Sequence, residues 1–253
     1  LILEKAKADI WSPMVTAILL ICWPDQRSTW EYASSLGSEI SSEYWRRKMV
    51  MTIEGSIEDK VYQIERLLNE GRAPAVFDII SHESKDIPTE IMVKVFDSTL
   101  DIVAQAQTVD QIKNFGLTSY EVGEFLSGLR GRKDLSKDEI ARREYRALPL
   151  LGLDIHGLTL HEFMSEDPQF FVDMLCDVFL PAHRDKAADE EPTPEVKARA
   201  EVGYRLLEAM DRIPGTGAEG LHQEELLEWI RAVREKATEL DRAAIADLYV
   251  GKI

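Results

Sequence analysis

Residues 64–77, Ile64-Glu65-Arg66-Leu67-Leu68-Asn69-Glu70-Gly71-Arg72-Ala73-Pro74-Ala75-Val76-Phe77, hold the pattern that decides the fold. Leucines close one helix, Gly71 is free to take the left-handed conformation that ends it, and Pro74 opens the next. So short a connection sets the two helices antiparallel.

The same grammar recurs along the chain. Thr118-x-x-Glu121, Ser136-x-x-Glu139 and Thr159-x-x-Glu162 have the capping-box spacing, in which hydroxyl and carboxylate satisfy each other's backbone N–H groups. Ser12-Pro13, Asp167-Pro168 and Thr193-Pro194-Glu195 place proline at the first helical position, where its missing N–H costs nothing. Apolar residues follow at steps of three and four: Ile91, Met92, Val95, Phe96, Leu100 and Val103 form one stripe. Val196, Ala200, Tyr204, Leu207 and Met210 form a second, and Leu226, Ile230, Val233, Ala237 and Leu240 a third. Strand-like alternation is confined to Met49–Ile53. Helices are expected near 13–22, 25–36, 39–48, 57–70, 74–82, 89–106, 118–130, 137–148, 159–165, 168–180, 194–212 and 222–241. The fold class is all-α: an α-solenoid-like array of antiparallel helical hairpins with little or no β-sheet. An acidic, proline-containing linker at 181–194 is expected to divide a repeat-like array, 1–180, from a C-terminal helical pair, 195–253.

The 253 residues carry a formal charge of −16, with 45% hydrophobic and 30% charged side chains, the balance of a folded chain. Residues 1–150 hold 19 basic and 24 acidic side chains, residues 151–253 hold 11 and 22. Such a field repels nucleic acid and anionic lipid at long range. Cys22 and Cys176 sit in apolar runs and read as small buried hydrophobes in a reducing cytoplasm. Met14–Trp23, with only Thr16 polar, is half the length needed to span a bilayer and reads as a buried helix. An opening Leu1 and an abrupt Gly251-Lys252-Ile253 suggest a fragment of a longer protein.

Few motifs carry chemistry. Gly215-Thr216-Gly217-Ala218-Glu219-Gly220 matches G-x-G-x-x-G, but a dinucleotide loop needs a strand before it. Here a helix precedes, and Glu219, Glu224 and Glu225 would oppose a phosphate, so a flexible helix-to-helix turn is expected. His82, His156, His161, His183 and His222 show no ligand spacing, and no catalytic residue, metal or cofactor is implied. The segment from Arg130 to Arg146 is locally basic through Arg130, Arg132, Lys133, Lys137, Arg142, Arg143 and Arg146. Arg130, Arg132, Lys133, Arg142, Arg143 and Arg146 could meet phosphates or an acidic partner. Glu139, three and four residues before Arg142 and Arg143, equally suits helix-surface ion pairs. Arg46-Arg47-Lys48 is a second, shorter basic cluster.

The Gly71-Arg72 hairpin resembles one unit of a tetratricopeptide-type or HEAT-type array. Four strings resemble the C-terminal helical regions of very large bacterial proteins, some similar to multidomain signalling NTPases. They are Trp30-Glu31-Tyr32…Leu36-Gly37…Tyr44-Trp45, Ser165-Glu166-Asp167-Pro168-Gln169-Phe170-Phe171, Ile213-Pro214-Gly215 and Trp229-Ile230-Arg231-Ala232-Val233-Arg234. The resemblance implies a bacterial, cytoplasmic helical-repeat region and carries no active-site residue onto this chain. The expected function is a non-catalytic scaffold or interaction module that recognises a protein partner, a ligand or other domains of its parent. The alternatives are an enzyme with an inter-helical carboxylate site and a nucleic-acid module using residues 130–146.

Overall fold

A computed structural model describes residues 11–82, 86–113, 116–151, 159–179, 193–208, 214–217 and 220–239. Among them lie α1 (Pro13–Ile21), α2 (Arg27–Ser35), α3 (Ser38–Arg47), α4 (Ile57–Asn69), α5 (Ala73–His82), α6 (Thr89–Val103) and α7 (Val109–Lys113). The series continues with α8 (Ser119–Arg130), α9 (Lys137–Leu151), α10 (Thr159–Glu166), α11 (Pro168–Phe179), α12 (Pro194–Glu208) and α13 (Gln223–Glu239). Two-residue strands, β1 (Thr216–Gly217) and β2 (Gly220–Leu221), pair antiparallel between α12 and α13. The chain is all-α. Among the described residues no helix is long and apolar enough to cross a membrane.

Local chemistry accounts for most of the boundaries. Ser12 Oγ accepts the Val15 N–H at 3.4 Å with Pro13 beginning α1. Thr118 and Glu121 cap each other, at 2.7 Å from the Thr118 N–H and 3.2 Å from the Glu121 N–H. Ser136 and Glu139 do the same at 2.9 and 3.2 Å. Gly71 takes φ 70°, its N–H bonds Leu68 O at 2.9 Å, and the Arg72 N–H reaches back to Leu67 O at 3.0 Å. That is a Schellman closure, and α5 starts directly after it with Pro74 second.

Two helices depart from expectation, and one begins as expected under a different cap. Helix α7, five residues long, is too short to show a stripe. Helix α9 does not stop before Pro149 but runs to Leu151. Proline there leaves the Tyr145 carbonyl without its usual donor; burial of Leu148, Pro149, Leu150 and Leu151 holds the last turn nonetheless. Thr159 is the first helical residue of α10, and the N–H after it is capped from another helix. Met49–Ile53 is not a strand: Met49 and Met51 are 76% and 78% exposed while Ile53 is buried.

The chain falls into two units, Leu1–Thr99 and Leu100–Ile253. In the first, α1 packs on α3, α2 on α1 and α3, α3 on α4, and α4 on α5. Its core gathers Ala17, Leu20, Trp30, Ala33, Tyr44, Trp45, Ile64 and Leu67. In the second, α9 is central and touches α7, α8, α10 and α12, while α11 packs on α10, α12 and α13. The expected linker, 181–194, lies outside the described residues as far as residue 192.

Candidate functional site

Helix α1, Pro13-Met14-Val15-Thr16-Ala17-Ile18-Leu19-Leu20-Ile21, carries no charge on any side. Thr16, Ala17 and Leu20 are buried, yet Met14, Val15 and Ile18 are 43%, 38% and 45% exposed. Cys22, one turn beyond Ile18, is exposed too, its thiol pointing to the Ile18 carbonyl at 3.5 Å. The expectations of a fully buried 14–23 helix and a buried Cys22 are therefore corrected. An apolar run fixes that a helix seeks cover, not how many neighbours supply it. Beside this face runs a shallow groove of about 570 Å³ lined by Pro13, Met14, Glu39, Ser42, Glu43 and Arg46. Glu43 is paired with Arg47 at 2.7 Å and Arg46 at 3.5 Å. The Arg47 hydrogen bond, with the charge of both arginines, holds its carboxyl below the ordinary range.

Behind the groove, α3 is anchored by a buried cation. Lys48 is 4% exposed, and its ammonium donates to Asp25 at 2.7 Å and Gln63 Oε1 at 3.0 Å. It lies 5.1 Å from the Trp30 ring centre and 5.3 Å from that of Trp45. The Trp30 indole donates to Asp25 Oδ1 at 2.6 Å, and Tyr62 stacks on Trp30. Arg27 covers Tyr62 from outside at 3.9 Å. Burial pulls the Lys48 pKa down, and Asp25 opposes that only in part. Arg72 completes the anchor, donating to Trp45 O at 2.8 Å and Lys48 O at 2.6 Å, which closes the end of α3. The Arg46-Arg47-Lys48 cluster is thus split: two arginines outside, one lysine in the core.

The basic segment is laid out along α8, the turn after it and α9. Arg142 makes a two-pronged bond to Asp138 at 3.0 and 2.9 Å and stands 5.0 Å over the Phe170 ring. Arg143 donates to Glu139 O at 3.0 Å, Arg146 to Asp101 at 2.7 Å, and Arg130 lies 3.6 Å from Glu144. Arg132 and Lys133 sit in the turn, Lys133 exposed.

Glu144 is the group that sequence reasoning missed. It is fully buried, and its Oε2 accepts the Leu160 N–H at 2.6 Å, capping α10 from α9. Burial raises its pKa against the Leu160 and Thr159 bonds and the Arg130 charge. The available signal was its register: Glu144 stands four residues from both Ile140 and Leu148, within an apolar stripe.

The glycine motif overlaps the two short paired strands, with residues 218–219 outside the described ones. Thr216 pairs with Leu221, and Gly217 with Gly220. Gly215 has φ 83°, and a Cβ there would meet Leu226 N at 2.4 Å and His222 O at 2.8 Å. That glycine is needed because α13 begins against it. The described residues ahead of it, through Glu208, are helical. Among the described residues no three His, Cys, Asp or Glu gather as metal ligands; His156 and His183 lie outside them. Comparison with protein-family models, curated proteins and solved structures found no match.

Proposed function

We propose that the chain is a non-catalytic helical interaction module, a cytoplasmic part of a larger bacterial protein, whose α1–α3 face receives a protein partner. The observation that carries this reading is the outward side of α1. An uncharged helix that exposes Met14, Val15, Ile18 and Cys22 together leaves a patch that soluble surfaces seldom leave bare. Methionine adapts its shape to a partner, and the Lys48 anchor keeps α3 fixed beside the patch. Glu39, Glu43 and Arg46 rim the groove with Glu43 already paired to arginines, so the negative field that steers a partner is the −16 of the chain as a whole. The fitting partner is an amphipathic helix with an apolar stripe and basic flanks, steered by opposite charge and held by apolar contact.

The test uses two fluorescein-labelled helical peptides with the same leucine stripe, one flanked by lysines and one by glutamates, read by anisotropy. The lysine peptide binds and the glutamate peptide does not. Ile18→Glu adds negative charge, so it would tighten purely electrostatic binding. By this reading it weakens the lysine peptide about tenfold or more, through loss of roughly 1.5 kcal/mol or more of apolar contact. Equal or tighter binding by folded Ile18→Glu refutes the reading.

A further inference from the structure

The second unit holds a cavity of about 560 Å³ between α7, the start of α8, the end of α9 and α12. That volume lies within the range of small-molecule sites. Its floor is apolar: Ile112 is 1% exposed, Leu150 8% and Val202 6%. Polar groups gather where Thr118, Glu201 and Arg205 line it. The Thr118 oxygen accepts the Glu121 N–H at 3.2 Å, which leaves its hydroxyl hydrogen to donate. Among the described residues no side chain pairs with Arg205, whereas Glu201 is already engaged within the protein. The polar side therefore offers a guanidinium and a hydroxyl donor, beside the already engaged Glu201 carboxylate, at the edge of an apolar chamber.

We propose that this cavity binds a small amphipathic monocarboxylate, with its hydrocarbon body against Ile112, Leu150 and Val202 and its carboxylate on Arg205 and Thr118. A guanidinium matches a carboxylate with two parallel hydrogen bonds. An apolar chamber with few convergent polar groups orients a ligand of that shape. The site is separate from the α1 face and does not rest on the interaction reading.

The experiment titrates the whole chain with dodecanoate, 1-dodecanol and dodecylammonium, which share one tail, by calorimetry below their self-association limits. Dodecanoate is expected to bind tightest and dodecylammonium weakest. Arg205→Ala, on the exposed rim, weakens dodecanoate about tenfold to a hundredfold through one lost charge-assisted contact and leaves 1-dodecanol unchanged. Val202→Trp fills the chamber and abolishes binding of both; Ala198→Leu serves if Val202→Trp does not fold. Ile18→Glu leaves all three affinities unchanged. No binding of dodecanoate, or dodecanoate affinity indifferent to Arg205→Ala and to filling of the chamber, overturns the proposal. Tighter binding of dodecylammonium overturns the assignment of the head group.

Discussion

Asp25→Ala and Lys48→Met each remove the same ion pair, yet their costs should differ by a factor of two or more. Lys48 is 4% exposed and Asp25 is 54% exposed, so the two partners are stranded differently. Without Asp25 the ammonium keeps only Gln63 Oε1 and two ring faces, and the Trp30 indole loses its acceptor. Breaking a buried pair costs about 3–5 kcal/mol; discounted for water at the open Asp25 side, about 2–4 kcal/mol is expected. Lys48→Met keeps the packed stem and leaves Asp25 free to hydrate. The orphaned Gln63 oxygen and lost ring contacts are offset by removal of a costly buried charge, for a net loss of about 1 kcal/mol. The double variant should then be more stable than Asp25→Ala alone. The pH dependence has a definite sign. Burial already depresses the Lys48 pKa, and loss of Asp25 depresses it further. Above that folded pKa the unfolded chain binds more protons, so the stability of Asp25→Ala rises with pH up to the ordinary lysine range. Urea midpoints followed by tryptophan fluorescence and circular dichroism, from neutral to alkaline pH, measure all of this. A Lys48→Met cost equal to or above that of Asp25→Ala, or strictly additive losses in the double variant, would refute the reasoning.

Glu144 titrates the other way round as an acid whose folded pKa is raised. The stability of Glu144→Gln relative to the natural chain should improve as pH climbs from the ordinary carboxylate range through the raised folded value, then level off; a flat difference counts against it. Gly215→Ala combines a left-handed φ of 83° with a 2.4 Å approach to Leu226 N, and should cost about 1–3 kcal/mol from backbone strain alone. Gly123→Ala, in the middle of α8 with open space at its Cβ, should instead gain about 0.5–1 kcal/mol; thermal midpoints compare the two. Arg142→Glu with Arg146→Glu breaks exposed pairs to Asp138 and Asp101, for about 0.2–1 kcal/mol each. The natural chain should show no retention on nucleic acid even near 50 mM salt, and tight binding lost on these reversals would promote the phosphate-contact reading.

What could be read from the sequence was what local chemistry decides. Ser12-Pro13, Thr118 with Glu121 and Gly71 set helix ends within a few residues of themselves, so position along the chain suffices to see them. Pro149 escaped because tertiary burial, not propensity, maintains its turn; α7, five residues long, is too short for a stripe, although Thr108 caps it locally by accepting the Gln111 N–H at 3.1 Å. Thr159-x-x-Glu162 matched a capping box, but Leu160 takes its cap from Glu144 and Lys137 bonds Glu162 at 3.0 Å. Partners that lie on other helices have no signature at a fixed spacing. The α1 face and the direction of Lys48 were hidden for the same reason. Charge and hydropathy name what a side chain needs, while only the packing of α2, α3 and α4 says whether the need is met.

The Glu144–Leu160 bond makes one amide a gauge of helix docking. The first N–H groups of a helix lack intrahelical acceptors and ordinarily exchange with solvent hydrogen quickly. The Glu121 amide, capped by Thr118 of its own segment, opens whenever that end of α8 frays. The Leu160 amide is held from α9, inside the second unit, and exchanges only when α10 lifts from α9. Its exchange rate therefore measures the free energy of that separation, at a helix start whose protection another helix supplies.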